Sequence, residues 1–278
     1  MNSRYDRVRK AIRRAIIHTQ QVDKKLEVNE QKYFHNRVEA LDDYTQQFMQ
    51  HVPFENLDVQ NGVEVSTDLD DLYQKIVEEN RGGYCYEVNT FFAAYLKEKG
   101  FETHFLSATI HTPDGGRSLE DSHMSLAVVI NGETYIADVG FGDLPVKAMH
   151  VTQDGSDVVK DVNGEYRAIK EDSMIYVQKY IDEAWQTKYE ATDQPRTLSF
   201  FDDKLEYNQH HPDSVFVRKL IVTKPTTTGR VTMTQDHLTV TDENGKHKTE
   251  VTPDNYQQLL QQYFGIDLIV PRLEKKEK

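Results

Sequence analysis

The chain has 278 residues, 37% hydrophobic and 28% charged, which fits one large globular domain or a few lobes sharing a core. A formal net charge of −13 disfavours binding to a nucleic-acid phosphate backbone, and no stretch approaches the ~20 apolar residues that span a bilayer. The single cysteine excludes an intramolecular disulfide and a Cys-rich zinc site and suits a reducing cytoplasm.

Residues 1–22 set Arg4, Arg7, Arg9, Lys10, Arg13 and Arg14 among Val8, Ile12, Ile16 and Ile17. The spacing is helical with a basic face, as in a membrane-surface helix or a transit peptide. Asp6 on the polar face and the scarcity of serine favour instead a helix lying on the body of an acidic protein. No apolar run follows the basic residues, so no secretory signal is read. Residues 29–50 read as a helix capped by Asn29 and ended by Pro53. Asp68 or Thr67 starts another through Leu69, Leu72 and Ile76. Gly82-Gly83 break the chain, and YCYEVNTFFAAYLKEKG from Tyr84 is helical again, with Gly100 as its C′ residue.

From Phe101 the period changes to two. FETHFLSATI, SHMSLAVVI, ETYIADV, RAIKEDSMIYVQKYI, VFVRKLIVT and HLTVTDENGKHKTEV read as strands. Asn131-Gly132 is a two-residue hairpin turn and DENGKH a looser one. A last helix, DNYQQLLQQYFG, starts near Asp254 and stops at Gly265, before a charged tail. Helices, then a long antiparallel β region, then a helix make an α+β chain.

A lone cysteine is more often a small buried hydrophobe than a nucleophile. Cys85, however, follows Arg81-Gly82-Gly83 and opens a helix. Glycines let another group approach the backbone, and a helix N-terminus stabilises a thiolate and can hold an oxyanion. A base must be found among eleven histidines. With MSLAVVI and ETYIADV paired across Asn131-Gly132, Ile130 faces Glu133, Ser125 faces Asp138 and His123 faces Gly140. His123 and Asp138 then share a face, a diagonal step of roughly 7 Å apart, and Gly140 leaves room for the ring. A carboxylate on one ring nitrogen fixes the tautomer and frees the other nitrogen to take a thiol proton. A solvated edge-strand histidine beside a turn-forming Asp138 remains the alternative, and spacing alone does not bring Cys85 to this face.

At VPFENLDV (52–59), RGGYCYEVN (81–89), the histidine of DSHMSLAV (121–128) and YIADVGFGD (135–143), the sequence resembles the arylamine N-acetyltransferases. A weaker match lies at EYNQHHPDSVF (206–216), and the resemblance covers roughly residues 30–270. It implies a catalytic triad of Cys85, His123 and Asp138, supported by a polar network of Arg81, Glu55, Asn56 and Asn89. It places Phe54 and Phe141 as walls of an acceptor pocket, Ser122 and Gly142 beside the reacting carbonyl, and Tyr207 and Ser214 near coenzyme A. Asp143, next after D-x-G-F-G, is expected to face the acceptor and shift amine preference.

The fold implied is α+β: an N-terminal helical bundle, a central antiparallel β-barrel and a C-terminal α/β lid, with a cysteine-protease-like core. The corresponding division is an N-terminal helical extension at 1–28, a bundle carrying Cys85 at 29–100, a barrel carrying His123 and Asp138 at 101–205, and the lid at 206–278. The extension precedes the usual family start and receives no role. The activity implied is ping-pong transfer of acetyl from acetyl-CoA, the acyl-donor substrate, through acetyl-Cys85 to an arylamine or hydrazine. No metal, nucleic-acid or membrane partner is expected, and the protein is read as a cytoplasmic monomer or homodimer. An amide synthase, a thiol hydrolase on the same triad and a non-catalytic coenzyme A- or amine-binding homologue are the alternatives.

Overall fold

A computed structural model describes residues 19–29, 32 and 34–274. Most of the basic stretch read at 1–22 therefore lies outside the described residues. Residues 19–25 are helical; Val22 and Leu26 are buried in the helical core, and Asp23 accepts from the Tyr95 hydroxyl at 2.5 Å and from Lys99 Nζ at 2.5 Å.

Helix α1 (Arg37–His51) starts later than the apolar pattern indicates. Asn36, rather than Asn29, is its cap. The Asn36 side chain accepts the Glu39 N–H at 2.8 Å, and Glu39 reaches back to the His35 N–H at 2.6 Å. This exchange satisfies donors that a helix start leaves open and so fixes where the helix begins. After the short α2 (Leu57–Asn61), Asp68 caps α3 (Leu69–Tyr73), which continues into a π-helical turn at Gln74–Glu78. Helix α4 (Cys85–Glu98) ends at Gly100, whose φ of 81° is the left-handed conformation expected after a helix. Its residues are buried on nearly every side because it lies between α1 and the β region: Phe92 packs on Phe48 with ring centroids 4.7 Å apart, and Val88 and Phe92 share a core with Leu126, Val128 and Ile130.

The β region is a closed barrel. Strands β2 (Glu102–Ile110), β3 (His123–Ile130), β4 (Glu133–Ile136), β5 (Met149–Thr152), β7 (Gly164–Glu171), β8 (Met174–Ile181) and β9 (Ala184–Thr192) follow the ring order β5-β4-β3-β2-β9-β8-β7. A short β6 (Val159–Asp161) adds to β7. The expectation of a wholly antiparallel barrel needs correction, because the closing pair, β5 with β7, is parallel. Alternation sends Leu106, Ala108, Ala127, Tyr166, Ala168, Ile175, Val177, Tyr189 and Ala191 to the barrel interior. RAIKEDSMIYVQKYI is two strands, not one: Asp172, at φ 52°, turns β7 into β8.

The C-terminal sheet has the order β1-β10-β11-β12-β13, all antiparallel, with β1 (Phe54–Glu55), β10 (Ile221–Thr226), β11 (Gly229–Thr234), β12 (His237–Asp242) and β13 (Gly245–Glu250). Two helices precede it: α5 (Asp202–His210), which runs across residue 205, and α6 (Val215–Arg218). VFVRKLIVT, expected as one strand, therefore begins as a helical turn, because Ser214 Oγ accepts the Phe216 N–H at 3.2 Å and caps it. Helix α7 (Tyr256–Phe264) packs its apolar side on the sheet, and α8 (Pro271–Glu274) follows. Strand β1 ties this sheet to the helical region, since Glu55 N–H donates to Gly83 O at 3.0 Å beside the catalytic-candidate helix.

Candidate active site

Cys85 is the first residue of α4. Opposite it, β3 and β4 pair in the register expected, from Ile130↔Glu133 to Ala127↔Ile136. Asn131 at φ 54° and Gly132 at φ 86° supply the two left-handed residues that a two-residue hairpin turn needs. The ladder then stops. Ala137 N–H still reaches Leu126 O at 2.9 Å, but Val139 N–H turns to Asn89 Oδ1 of α4 at 3.0 Å. The pairings Ser125–Asp138 and His123–Gly140 therefore do not form. The side-chain contact does: His123 Nε2 and Asp138 Oδ2 are 2.6 Å apart.

Gly140 was expected to leave room for the His123 ring, but its neighbours are on α4. A Cβ there would stand 2.6 Å from Cys85 Cα and 2.7 Å from Asn89 Nδ2. The missing side chain makes room for α4, not for the imidazole. Gly140→Ala should therefore cost about 3 kcal/mol and lower turnover by separating Cys85 from His123. Thermal unfolding and steady-state rates would check this, and a variant with unchanged stability would contradict it.

Asp138 is the hub. Its Oδ1 accepts from Asn89 Nδ2 at 2.9 Å and from Gly140 N–H at 2.8 Å, and the Tyr189 hydroxyl, itself 2.9 Å from Ser125 Oγ, reaches the same carboxylate. Burial alone would raise its pKa, but the His123 charge and these hydrogen bonds hold it below the ordinary range. Burial alone would likewise hold His123 neutral. The Asp138 charge and hydrogen bond outweigh that, aided by a hydrogen bond with the Cys85 thiol, and raise it to about 10. Since Nε2 is taken by Asp138, Nδ1 is left for the thiol. Cys85, His123 and Asp138 are 2%, 2% and 3% exposed.

The remaining expected residues separate into groups. Phe141 edges onto His123 with centroids 5.5 Å apart. Phe54 lies against the place a Gly142 Cβ would take and shares a buried cluster with Cys85. Gly142 has φ 90°, and its carbonyl accepts from Arg230 Nη1. Ser122 contributes its carbonyl, which accepts from the Tyr86 hydroxyl at 2.5 Å. Ser214 Oγ donates to Asn208 O at 2.8 Å while capping α6, so its hydroxyl is engaged within the chain. Tyr207 stacks on His211 with centroids 4.4 Å apart. Asn56 does not join the triad network: its Nδ2 donates to Phe216 O and Lys219 O, both at 2.8 Å, and its Oδ1 accepts the Ile221 N–H. It laces down the segment leading into β10. Asp143 is surrounded by cations, with Lys179 Nζ at 2.8 Å, Lys188 Nζ at 3.7 Å and Arg230 Nε at 3.9 Å.

Arg81 Nε meets Glu55 Oε1 at 2.9 Å, and that same oxygen accepts the Gly82 N–H at 3.2 Å. A parallel arrangement was not read from the sequence. Lys75 Nζ lies 2.6 Å from Glu87 Oε1, while Glu87 Oε2 accepts the Tyr84 N–H at 3.2 Å. Burial pushes Glu87 up to about 7 against the pull of Lys75. Because this lies above the usual 4.5, the carboxyl supports the fold at low pH and opposes it as pH rises through 7. Wild-type protein should lose about 3 kcal/mol relative to Glu87→Gln between about pH 5 and 8. Unfolding midpoints of the two proteins across that range would check this, and parallel curves would contradict it.

Among the described residues no group of three or more His, Cys, Asp or Glu is placed to hold a metal ion, and no helix is long and apolar enough to cross a membrane. A thiol at a helix N-terminus beside a hydrogen-bonded imidazole and carboxylate is the make-up of a cysteine-nucleophile site. The family model described as N-acetyltransferase matches residues 37–273. The arylamine N-acetyltransferase pineal gland isozyme of Gallus gallus is 30% identical over 77% of this chain and 80% of its own length. The arylamine N-acetyltransferase / N-hydroxyarylamine O-acetyltransferase of Salmonella typhimurium is 31% identical, over 77% of both chains. A solved arylamine N-acetyltransferase from Bacillus cereus, described by its Cys-His-Glu catalytic triad, matches with a TM-score of 0.82 at 27% identity, covering 90% of this chain and 99% of its own. The chain belongs to the arylamine N-acetyltransferase family of enzymes.

Proposed function

We propose that the protein moves an acetyl group from acetyl-CoA to arylamines or hydrazines by way of acetyl-Cys85. The observation that carries this reading is the 2.6 Å hydrogen bond between His123 and Asp138, with the Cys85 thiol beside the same imidazole. His123 takes the thiol proton, and Asp138 holds the resulting imidazolium in line. The thiolate attacks the thioester carbonyl, and N–H groups at the start of α4, which have no partner four residues back, stabilise the tetrahedral oxyanion. Coenzyme A leaves with a proton returned through His123. The amine then attacks acetyl-Cys85 and loses its proton to the same imidazole. Arylamines are neutral at pH 7, so they attack without prior deprotonation, and the aromatic surfaces of Phe54 and Phe141 favour flat rings.

The thiol is only 2% exposed. It shares its cluster with the half-buried Phe216, so entry of the acyl donor displaces side chains of this kind. Exclusion of water around Cys85 also protects the thioester from hydrolysis. Initial rates at varied acetyl-CoA and arylamine concentrations test the two-step order: parallel double-reciprocal lines are expected, and intersecting lines would mean direct transfer within a ternary complex.

A further inference from the structure

The two peptide N–H groups on either side of Gly83 are each held by a buried carboxylate with its own cation. Glu55, paired with Arg81, takes the Gly82 N–H, and Glu87, paired with Lys75, takes the Tyr84 N–H. Side chain is excluded at Gly83 itself, since a Cβ there would stand 2.5 Å from Glu87 Oε2. The chain therefore enters α4 between two fixed points, and Cys85 is the next residue.

Glu87 creates an electrostatic conflict. A carboxylate is favourable near a helix N-terminus, but the anionic sulfur of the proposed mechanism would occupy the same terminus two residues earlier. Like charges in a poorly solvated site repel strongly. Lys75 Nζ, 2.6 Å from Glu87 Oε1 and 2.5 Å from Asp58 Oδ2, lies where it cancels that charge. Its place depends on backbone geometry, because Lys75 belongs to the π-helical turn at Gln74–Glu78, an irregularity that re-aims side chains and is common at functional sites. The charged groups around Glu87 are Lys75, Glu55, Asp58 and Arg81, so three carboxylates share two cations. A cavity of about 420 Å³ lined by Asp58, Lys75, Arg81 and Glu87 adjoins the group.

We propose that Lys75 is a positioning residue for the nucleophile: it neutralises Glu87, allowing one carboxylate to cap α4 while an anionic sulfur forms at Cys85. This rests on the reading of Cys85 as the nucleophile. It requires strong coupling between Lys75 and Glu87, because without a charge on Glu87 there is nothing for Lys75 to cancel.

The test follows Cys85 carboxamidomethylation by iodoacetamide, and its acetylation by acetyl-CoA, across about pH 6–9 in four proteins: wild type, Lys75→Met, Glu87→Gln and the double variant. Lys75→Met should slow both reactions about tenfold at the upper end of that pH range, where Glu87 is ionised, and by less at pH 7, where burial without the cation keeps the carboxyl protonated. Glu87→Gln, which keeps an acceptor for the Tyr84 N–H, should slow them about threefold. The double variant should match Glu87→Gln, faster than Lys75→Met alone. Multiplying losses, or a Lys75→Met rate within twofold of wild type at the upper end of the range, would overturn the proposal. Should Lys75→Met fail to fold, Lys75→Arg, which retains the cation, should react at a rate close to wild type, and a loss as large as tenfold would overturn it. A wild-type protein whose Cys85 resists both reagents would instead reject the nucleophile assignment.

Discussion

Replacing Cys85 by serine should reduce acetyl transfer by on the order of 10⁵-fold while leaving the fold in place. The reason lies in proton affinity. His123, charged with the help of Asp138, is matched to a thiolate partner, whereas a serine hydroxyl holds its proton far more tightly and does not form the ion pair. The substitution removes little volume from a residue 2% exposed, so the cost in stability is about 1 kcal/mol. Turnover measured beside a thermal melt separates the two effects. Activity within about a hundredfold of wild type would show that sulfur is not the attacking atom.

Asp138→Asn should lower kcat/KM by on the order of 10³–10⁴, equivalent to about 4–5.5 kcal/mol of transition-state stabilisation. The carboxamide oxygen can keep the bonds from Asn89 Nδ2 and Gly140 N–H. Its NH₂ group then faces His123 Nε2 and makes that nitrogen an acceptor, which moves the ring proton to Nδ1, toward the thiol. The imidazole is thus held in the wrong tautomer to accept a proton from Cys85. Stability should fall by only about 1–3 kcal/mol, the loss of one charge-assisted hydrogen bond. Equal losses of rate and folded protein would make Asp138 a mainly structural residue.

Local chemistry was legible in the sequence where a device is complete within a few residues. Asn131-Gly132 set the register of β3 and β4, and that register places His123 on the face Asp138 reaches. Gly82-Gly83 before Cys85 and Gly100 after Glu98 bounded α4. Other features were decided at a distance. The chain leaves the sheet at Ala137 because Asn89, on α4, takes the Val139 N–H; no local signal marks that exit. Gly140 is explained by the approach of α4, which the strand pattern does not contain. Tyr189 reaches Asp138 only because β9 pairs with β2 in closing the barrel. Lys75 was hidden inside an ordinary apolar spacing, since nothing in that spacing announces a π-helical turn. Asn29 and Asn36 each offer a cap, and Glu39, three residues after Asn36, was the available sign that the second one starts the helix.

The same contrast applies to roles carried by resemblance. Arg81, Glu55 and Asn89 bond around the segments that hold Cys85 and Asp138, whereas Asn56, inside the same matched motif, serves the entry to β10. Asp143 is expected from the resemblance to face the acceptor and shift amine preference. Its three cationic neighbours come from β8, β9 and β11, 36 or more residues further along the chain.

The most direct measurement is the intact mass of the protein after incubation with acetyl-CoA alone. One added acetyl group, located on Cys85 by peptide mapping and removed on adding an arylamine, is the predicted result. Release of coenzyme A with the protein mass unchanged, or an adduct on any other residue, would contradict the account.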